Sequence, residues 1–227
     1  QFQEIKSELQ GIVDSRSDEI FESYLNVRDI FNTPYEWPEI DVLRNEVCLC
    51  LIFGLYQAAM TMTNHMLESF LKTSLGYKES FNNFDSNNQD KSTNALVQSL
   101  RLGFEKYDDK NLYQTIEAAH KEDLISEDQK DQLHEFRDDY RNAYSHAQKS
   151  KIHKDREIPI QGVHLEGDGE FKVDPETEHK IVNLPFVHGQ AQFYHAKAHA
   201  PEYFRYVNDL VWQVKDRLFP SENSDAV

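Results

Sequence analysis

Cysteine is scarce in this chain, with Cys48 and Cys50 the two present in 227 residues. Two residues apart, they point to different sides of a helix and fit neither a disulfide framework nor a zinc-ligand pattern, so a reducing cytoplasm is the expected compartment. Long apolar runs are missing too. The richest stretch, "LCLIFGLYQAAMTM" (49–62), is shorter than the ~20 residues a membrane span needs, and Gln57, Thr61 and Thr63 interrupt its end. It reads as a buried core helix, and no membrane partner is expected. Positive charge is in short supply, with 24 Lys and Arg against 40 Asp and Glu and a net charge of −16. Such a balance excludes a broad, sequence-blind grip on nucleic acid and leaves any such contact to a local basic patch. The chain opens on Gln1 instead of Met, which reads as a processed or trimmed start or as missing first residues, and shows no signal-peptide pattern and no internal repeat. Glycine-rich phosphate loops are lacking, since "GDG" (167–169) is a tight turn alone, and no Ser/His/Asp or Cys/His constellation stands out.

Helical periodicity is what the sequence does have. Ile5, Leu9, Ile12, Val13, Ile20, Phe21, Tyr24, Leu25 and Ile30 recur close to helical spacing over residues 3–31. "NTPYEWP" (32–38) breaks the pattern with two prolines. One long helix is expected from Glu39 to about Tyr77, with Gly76 as its C-terminal signal, and "NNFDSNNQDKS" (82–92) as a loop. Further helices are expected over about 93–107, 111–121 and 127–149, the last opened by Ser126 with Gln129 completing a capping box. Residues 156–185 change character, with β-type segments at 158–165, 170–173 and 180–184 between Gly- and Pro-bearing turns. Helix returns over about 190–218, kinked or restarted at Pro201. The expected architecture is therefore an all-α bundle forming one domain over 1–220, with a small β-hairpin excursion near 156–185 and a polar tail at 221–227.

The chemistry-bearing stretch is "DYRNAYSHAQ" (139–148). On a regular helix, Leu133, Phe136, Tyr140, Ala143 and Ala147 form the core stripe. Arg141 and His146 then stand about 140° apart, flanking the opposite side, with Asp138, Asn142 and Ser145 between them. Arg137 and Tyr144 extend the arginine edge. The simpler reading is a solvated face, with Arg137 and Arg141 paired to nearby acids and His146 exposed.

"RNAYSH" (141–146) resembles the Arg–(four to six residues)–His motif of HEPN domains, with the polar residue that often follows the arginine present as Asn142. An all-helical chain with the motif late in the helical core agrees with that family, over roughly residues 39–150. The resemblance implies a metal-independent endoribonuclease that needs no cofactor. RNA would be its substrate, a homodimer its working state, and an antitoxin or other defence-system protein its partner. It implies His146 as acid/base, Arg141 as phosphate and transition-state clamp, and Asn142 orienting the histidine or binding substrate. Those residue types suit the task, because histidine titrates near neutral pH and arginine forks onto two phosphate oxygens. The expected products are a 2′,3′-cyclic phosphate and a 5′-hydroxyl. Arg137, Tyr144 and Lys149 are expected to touch substrate, within a patch that includes Lys151 and Lys154. Glu68, in "TNHMLESF" beside Asn64 and His65, is expected to reach across and hold Arg141 or His146; the simpler reading is a partly exposed turn of a core helix. A subset of the family carries a tyrosine two residues after the histidine, and here that position is Gln148. The alternative function is a catalytically inactive HEPN-like module for dimerisation, nucleotide binding or protein interaction. His188, His195 and His199 have spacings that suit metal ligands on one helical face, but scattered histidines explain them as well, and no metal is expected. The series Phe193, Tyr194, Tyr203, Phe204, Tyr206 and Trp212 reads as packing.

Overall fold

The computed structural model describes residues 2–87, 93–141, 144, 152, 154, 156–165, 171–173, 175–184 and 187–220. Eight α-helices dominate these residues: α1 (Phe2–Ser15), α2 (Ser17–Asn32), α3 (Pro38–Ile52), α4 (Tyr56–Asn87), α5 (Thr93–Asp108), α6 (Leu112–Lys121), α7 (Glu127–Phe136) and α8 (His188–Leu218). Helix α4 is the hub, packed against α3, α5, α6 and α8. Its 32 residues make it about 48 Å long at the usual rise per residue. Its apolar face, with Met60, Leu67, Phe70, Leu71 and Leu75, is fully buried against Ile40 and Val47 of α3 and Phe204, Val207 and Val211 of α8.

The single helix expected over 39–77 is in fact two. Helix α3 closes at Phe53, and Gly54 takes a left-handed φ of 70°. Leu55 N–H bonds back to Cys50 O at 2.7 Å and Gly54 N–H to Leu51 O at 3.1 Å, the paired bonds of a Schellman stop. Gly76, the expected terminator, lies inside α4, which continues to Asn87. Its role is packing. A Cβ on Gly103 of α5 would fall 2.5 Å from Gly76 O, so the two glycines let the helix backbones meet closely. Residues 82–87 of the expected loop are accordingly helical, and 88–92 lie outside the described residues.

The proline-bearing segment before α3 is tied down from below. Asp41 accepts from the backbone N–H groups of Tyr35 and Trp37 at 2.7 and 3.0 Å, and Arg44 lies 3.0 Å from the same carboxylate. Arg44 also donates to Thr33 O and to Asn45 Oδ1. Two buried tyrosines cross-link the helices, since Tyr35 donates to Asn208 at 2.7 Å and Tyr203 to Asn64 at 2.8 Å. Such bonds let large rings enter the core with their hydroxyls satisfied, while Asn64 Nδ2 stays buried without a partner among the described residues.

Residues 156–184 hold β1 (Glu157–Ile160), β2 (Val163–Leu165), β3 (Phe171–Val173) and β4 (Thr177–Lys180). Strands β1 and β4 pair antiparallel, with Ile158 opposite His179, and β2 pairs antiparallel with β3. The segment expected at 180–184 is instead the end of β4 followed by a 3-10 turn, Ile181–Asn183. Helix α8 begins at His188 and runs unbroken through Pro201. Among the described residues, no helix is long and apolar enough to cross a membrane.

Candidate functional site

The motif helix starts where its cap dictates. Ser126 accepts from Gln129 N–H and Gln129 Oε1 accepts from Ser126 N–H, closing the capping box. Ten residues later the regular helix gives way to a π turn, Arg137–Arg141. A π turn carries an extra residue per turn, so side chains beyond it are rotated away from the positions a regular wheel assigns.

That rotation changes which way Arg141 faces. The regular wheel puts it opposite the core stripe. In the structure its side chain is 31% exposed and lies against α4, with Nη2 3.7 Å from Glu68 Oε2. Glu68 also receives Lys72 at 3.3 Å, so two cations share one carboxylate. Tyr144, expected to extend the arginine edge, turns inward, and even a regular helix sets it only about 20° from Leu133 of the core stripe. Its hydroxyl is 2.7 Å from His195 Nδ1 on α8, and its ring packs on that imidazole. Burial raises the Tyr144 phenol above its ordinary value, which keeps it protonated at neutral pH.

Arg137 is committed to its neighbours. It donates to Asp138 Oδ1 at 2.8 and 3.2 Å, and its guanidinium lies 4.8 Å from the centre of the Tyr113 ring. Lys154 is paired with Asp139 at 2.8 Å. Asn142, His146, Gln148, Lys149 and Lys151 lie outside the described residues. The described structure therefore brings Arg141 to Glu68 and sends Arg137 and Tyr144 to separate neighbours.

Of the stripe residues, Leu133 is buried and Phe136 and Tyr140 are packed against the core, while Ala143 and Ala147 are outside the described residues. Phe136 and Tyr140 stack at 5.4 Å, and both meet Tyr203 of α8.

One grouping went unread in the sequence, and a second was read with other members. His134 Nε2 is 2.7 Å from Glu117 Oε1, and its ring lies 4.9 Å from Tyr113, placing a histidine–carboxylate pair beside Arg137. A His at position 134, one turn before Arg137, was a visible signal; Glu117 on α6 was not. Of the three histidines grouped by spacing, His195 and His199 do come together on α8, with ring centres 4.5 Å apart, and both meet Tyr140, which the spacing did not indicate. His188 is set apart from them, its Nε2–H donating to Ile181 O at 2.9 Å. Among the described residues no three His, Cys, Asp or Glu side chains gather in a metal-holding arrangement.

No family model matches the chain, and neither a curated protein nor a solved structure matches it.

Proposed function

We propose that this protein is a metal-independent endoribonuclease of the HEPN type, acting as a homodimer that sets two copies of the Arg141–His146 motif around one cleft. The observation that carries the reading is the π turn that ends on Arg141. Interruptions of this kind recur at functional sites, because a helix forgoes a regular hydrogen bond there. This one turns a guanidinium toward an ionic neighbour at 3.7 Å, a loose contact that a phosphate can displace. The predominantly helical architecture supports the same reading.

In this mechanism His146 removes the 2′-OH proton or protonates the leaving 5′-oxygen. Two histidines from two protomers divide those tasks. Arg141 stabilises charge on the phosphorus oxygens, with Asn142 orienting the histidine and Glu68 fixing the arginine before substrate arrives. Lys149 and Arg137 contact flanking phosphates, Arg137 after exchanging Asp138 for one of them. Large exposed apolar side chains on α1 to α3, including Ile5, Ile12, Phe21, Leu25 and Val42, offer surface for a second copy. RNA is the substrate, and an antitoxin or other defence protein is the expected regulator in the cytoplasm.

One observation favours a second reading, a catalytically silent HEPN-like module for dimerisation, nucleotide binding or protein interaction. Arg141 and Arg137 both have carboxylate partners within the chain. Incubating wild type and His146→Ala with RNA in EDTA separates the two. The nuclease reading expects cleavage by wild type alone, leaving 2′,3′-cyclic phosphate and 5′-hydroxyl ends. Equal cleavage by both proteins, or none of any RNA by either, rejects it.

A further inference from the structure

The described cavities differ in charge. One of about 510 Å³, between α3, α4 and α5, mixes Glu39, Glu105 and Asp108 with Lys72 and Arg101. Another of about 370 Å³, beside α2, pairs Glu19 and Glu22 with Arg16 and Lys197. A third, of about 400 Å³, lies between the β excursion and the first turns of α8, and no acidic side chain is among its described lining residues. In a chain with 40 acidic residues against 24 Lys and Arg, an acid-free cavity is a departure that needs a reason.

Its ionisable groups are a guanidinium, two imidazoles and the Tyr194 phenol. Arg156 stands at the mouth, placed by the ladder, since Ile181 N–H donates to Arg156 O at 2.9 Å just beyond the β1–β4 pairing. His195 and His199 face it from successive turns of α8. The remaining wall is mostly apolar, with Ile158 and Ile181 from the excursion and the flat ring of Tyr194 from α8, and Gln190 adds one neutral amide. Tyr144, at 2.7 Å from His195 Nδ1, fixes that imidazole from behind. A guanidinium and two imidazoles around a mostly apolar, ligand-sized hollow are a receptor for an oxyanion carried on an apolar body.

We propose that this cavity binds a small organic anion, a carboxylate or phosphate monoester with an aromatic or aliphatic body. The anionic head lies between Arg156 and the His195–His199 pair, and the body lies against Ile158, Ile181 and Tyr194. The groups that meet the anion, Arg156, His195 and His199, lie outside the Arg141–His146 motif, and the motif's Tyr144 touches the site only through His195.

Proton NMR of the histidine rings tests it on the full chain, with His195 and His199 assigned from single His→Gln variants. Phenyl phosphate, benzoate and neutral phenol are titrated separately. The site predicts saturable shifts of both rings with at least one anion, and binding of phenol weaker by about ten-fold, the worth of a charge-assisted hydrogen bond. A tighter phenyl phosphate assigns a phosphate head, and a tighter benzoate a carboxylate. Arg156→Gln, at an exposed position, should weaken the anion by a similar factor. Ala198→Trp, exposed on α8 at the cavity wall, should abolish the shifts with helicity unchanged. No shift with either anion, phenol as tight as the anions, or shifts unaltered in both variants would overturn the proposal.

Discussion

Arg44 and Arg141 both meet a carboxylate of the same chain, yet they are held in opposite ways. Arg44 has a side chain only 4% exposed, lies 3.0 Å from Asp41, and makes further bonds to Thr33 O and Asn45. Its partner is itself saturated by two backbone N–H groups. Arg141 is 31% exposed and sits 3.7 Å from a carboxylate it shares with Lys72. The first arrangement fixes a loop against a core and leaves nothing to offer a ligand. The second keeps a cation positioned but exchangeable, which is what phosphate chemistry requires of an arginine.

The sharpest way to break that comparison is to remove each arginine in turn. Arg44→Ala leaves Asp41 partly buried without its cation and should cost about 3–5 kcal/mol, read as a lowered midpoint in urea. Arg141→Ala should cost less than about 1 kcal/mol, as exposed pairs do. Equal losses would erase the distinction. Next in size is Gly103→Ala at the α4–α5 crossing, where the new methyl meets Gly76 O and Ser80. Overpacking there should cost about 1–3 kcal/mol, and an unchanged melting temperature would show that the backbones do not approach so closely.

The cysteines extend the contrast to a single helix. Burial pushes the Cys48 thiol up from 9.0 to about 12, with Arg44 opposing, while Cys50 is half-buried and raised by burial and by Glu46. Because the thiolate is the nucleophile, iodoacetamide at pH 8 should label Cys50 well before Cys48 in the folded protein. Reversed order would contradict the packing of α3. The raised Cys48 value also has a sign for stability. Above pH 9 the unfolded chain loses that proton and the folded one keeps it, so this contribution to stability falls as pH rises from 9 toward 12. The smallest effect is expected from Glu68→Gln, which should change stability by less than about 1 kcal/mol and weaken the anchoring of Arg141. A loss as large as that of Arg44→Ala would make Glu68 part of the core framework.

Much of the fold could be read from local rules. Ser126 and Gln129 announce the start of α7 through a local hydrogen-bond pattern, and the change of composition after Arg156 announces strands. The break at Gly54 was hidden because it falls inside a continuous apolar run, where both flanking helices are core and periodicity does not change. Gly76 misled for the complementary reason, since a glycine that permits close helix packing looks the same in sequence as one that ends a helix. The π turn leaves no residue signature at all, and Arg141, its last residue, lies against α4 where a regular wheel sets it outward. The Tyr144–His195 contact spans 51 positions, so no local pattern could have announced it.

The central claim is that Arg141 is kept for chemistry while Arg44 is kept for structure, and one paired measurement addresses it. Wild type and Arg141→Ala are compared for RNA cleavage in EDTA and for thermal unfolding in the same buffer. The account predicts unfolding near the wild-type temperature with cleavage reduced by about 100-fold or more, the scale of losing a charge-stabilising donor. Cleavage by Arg141→Ala at the wild-type rate would contradict it.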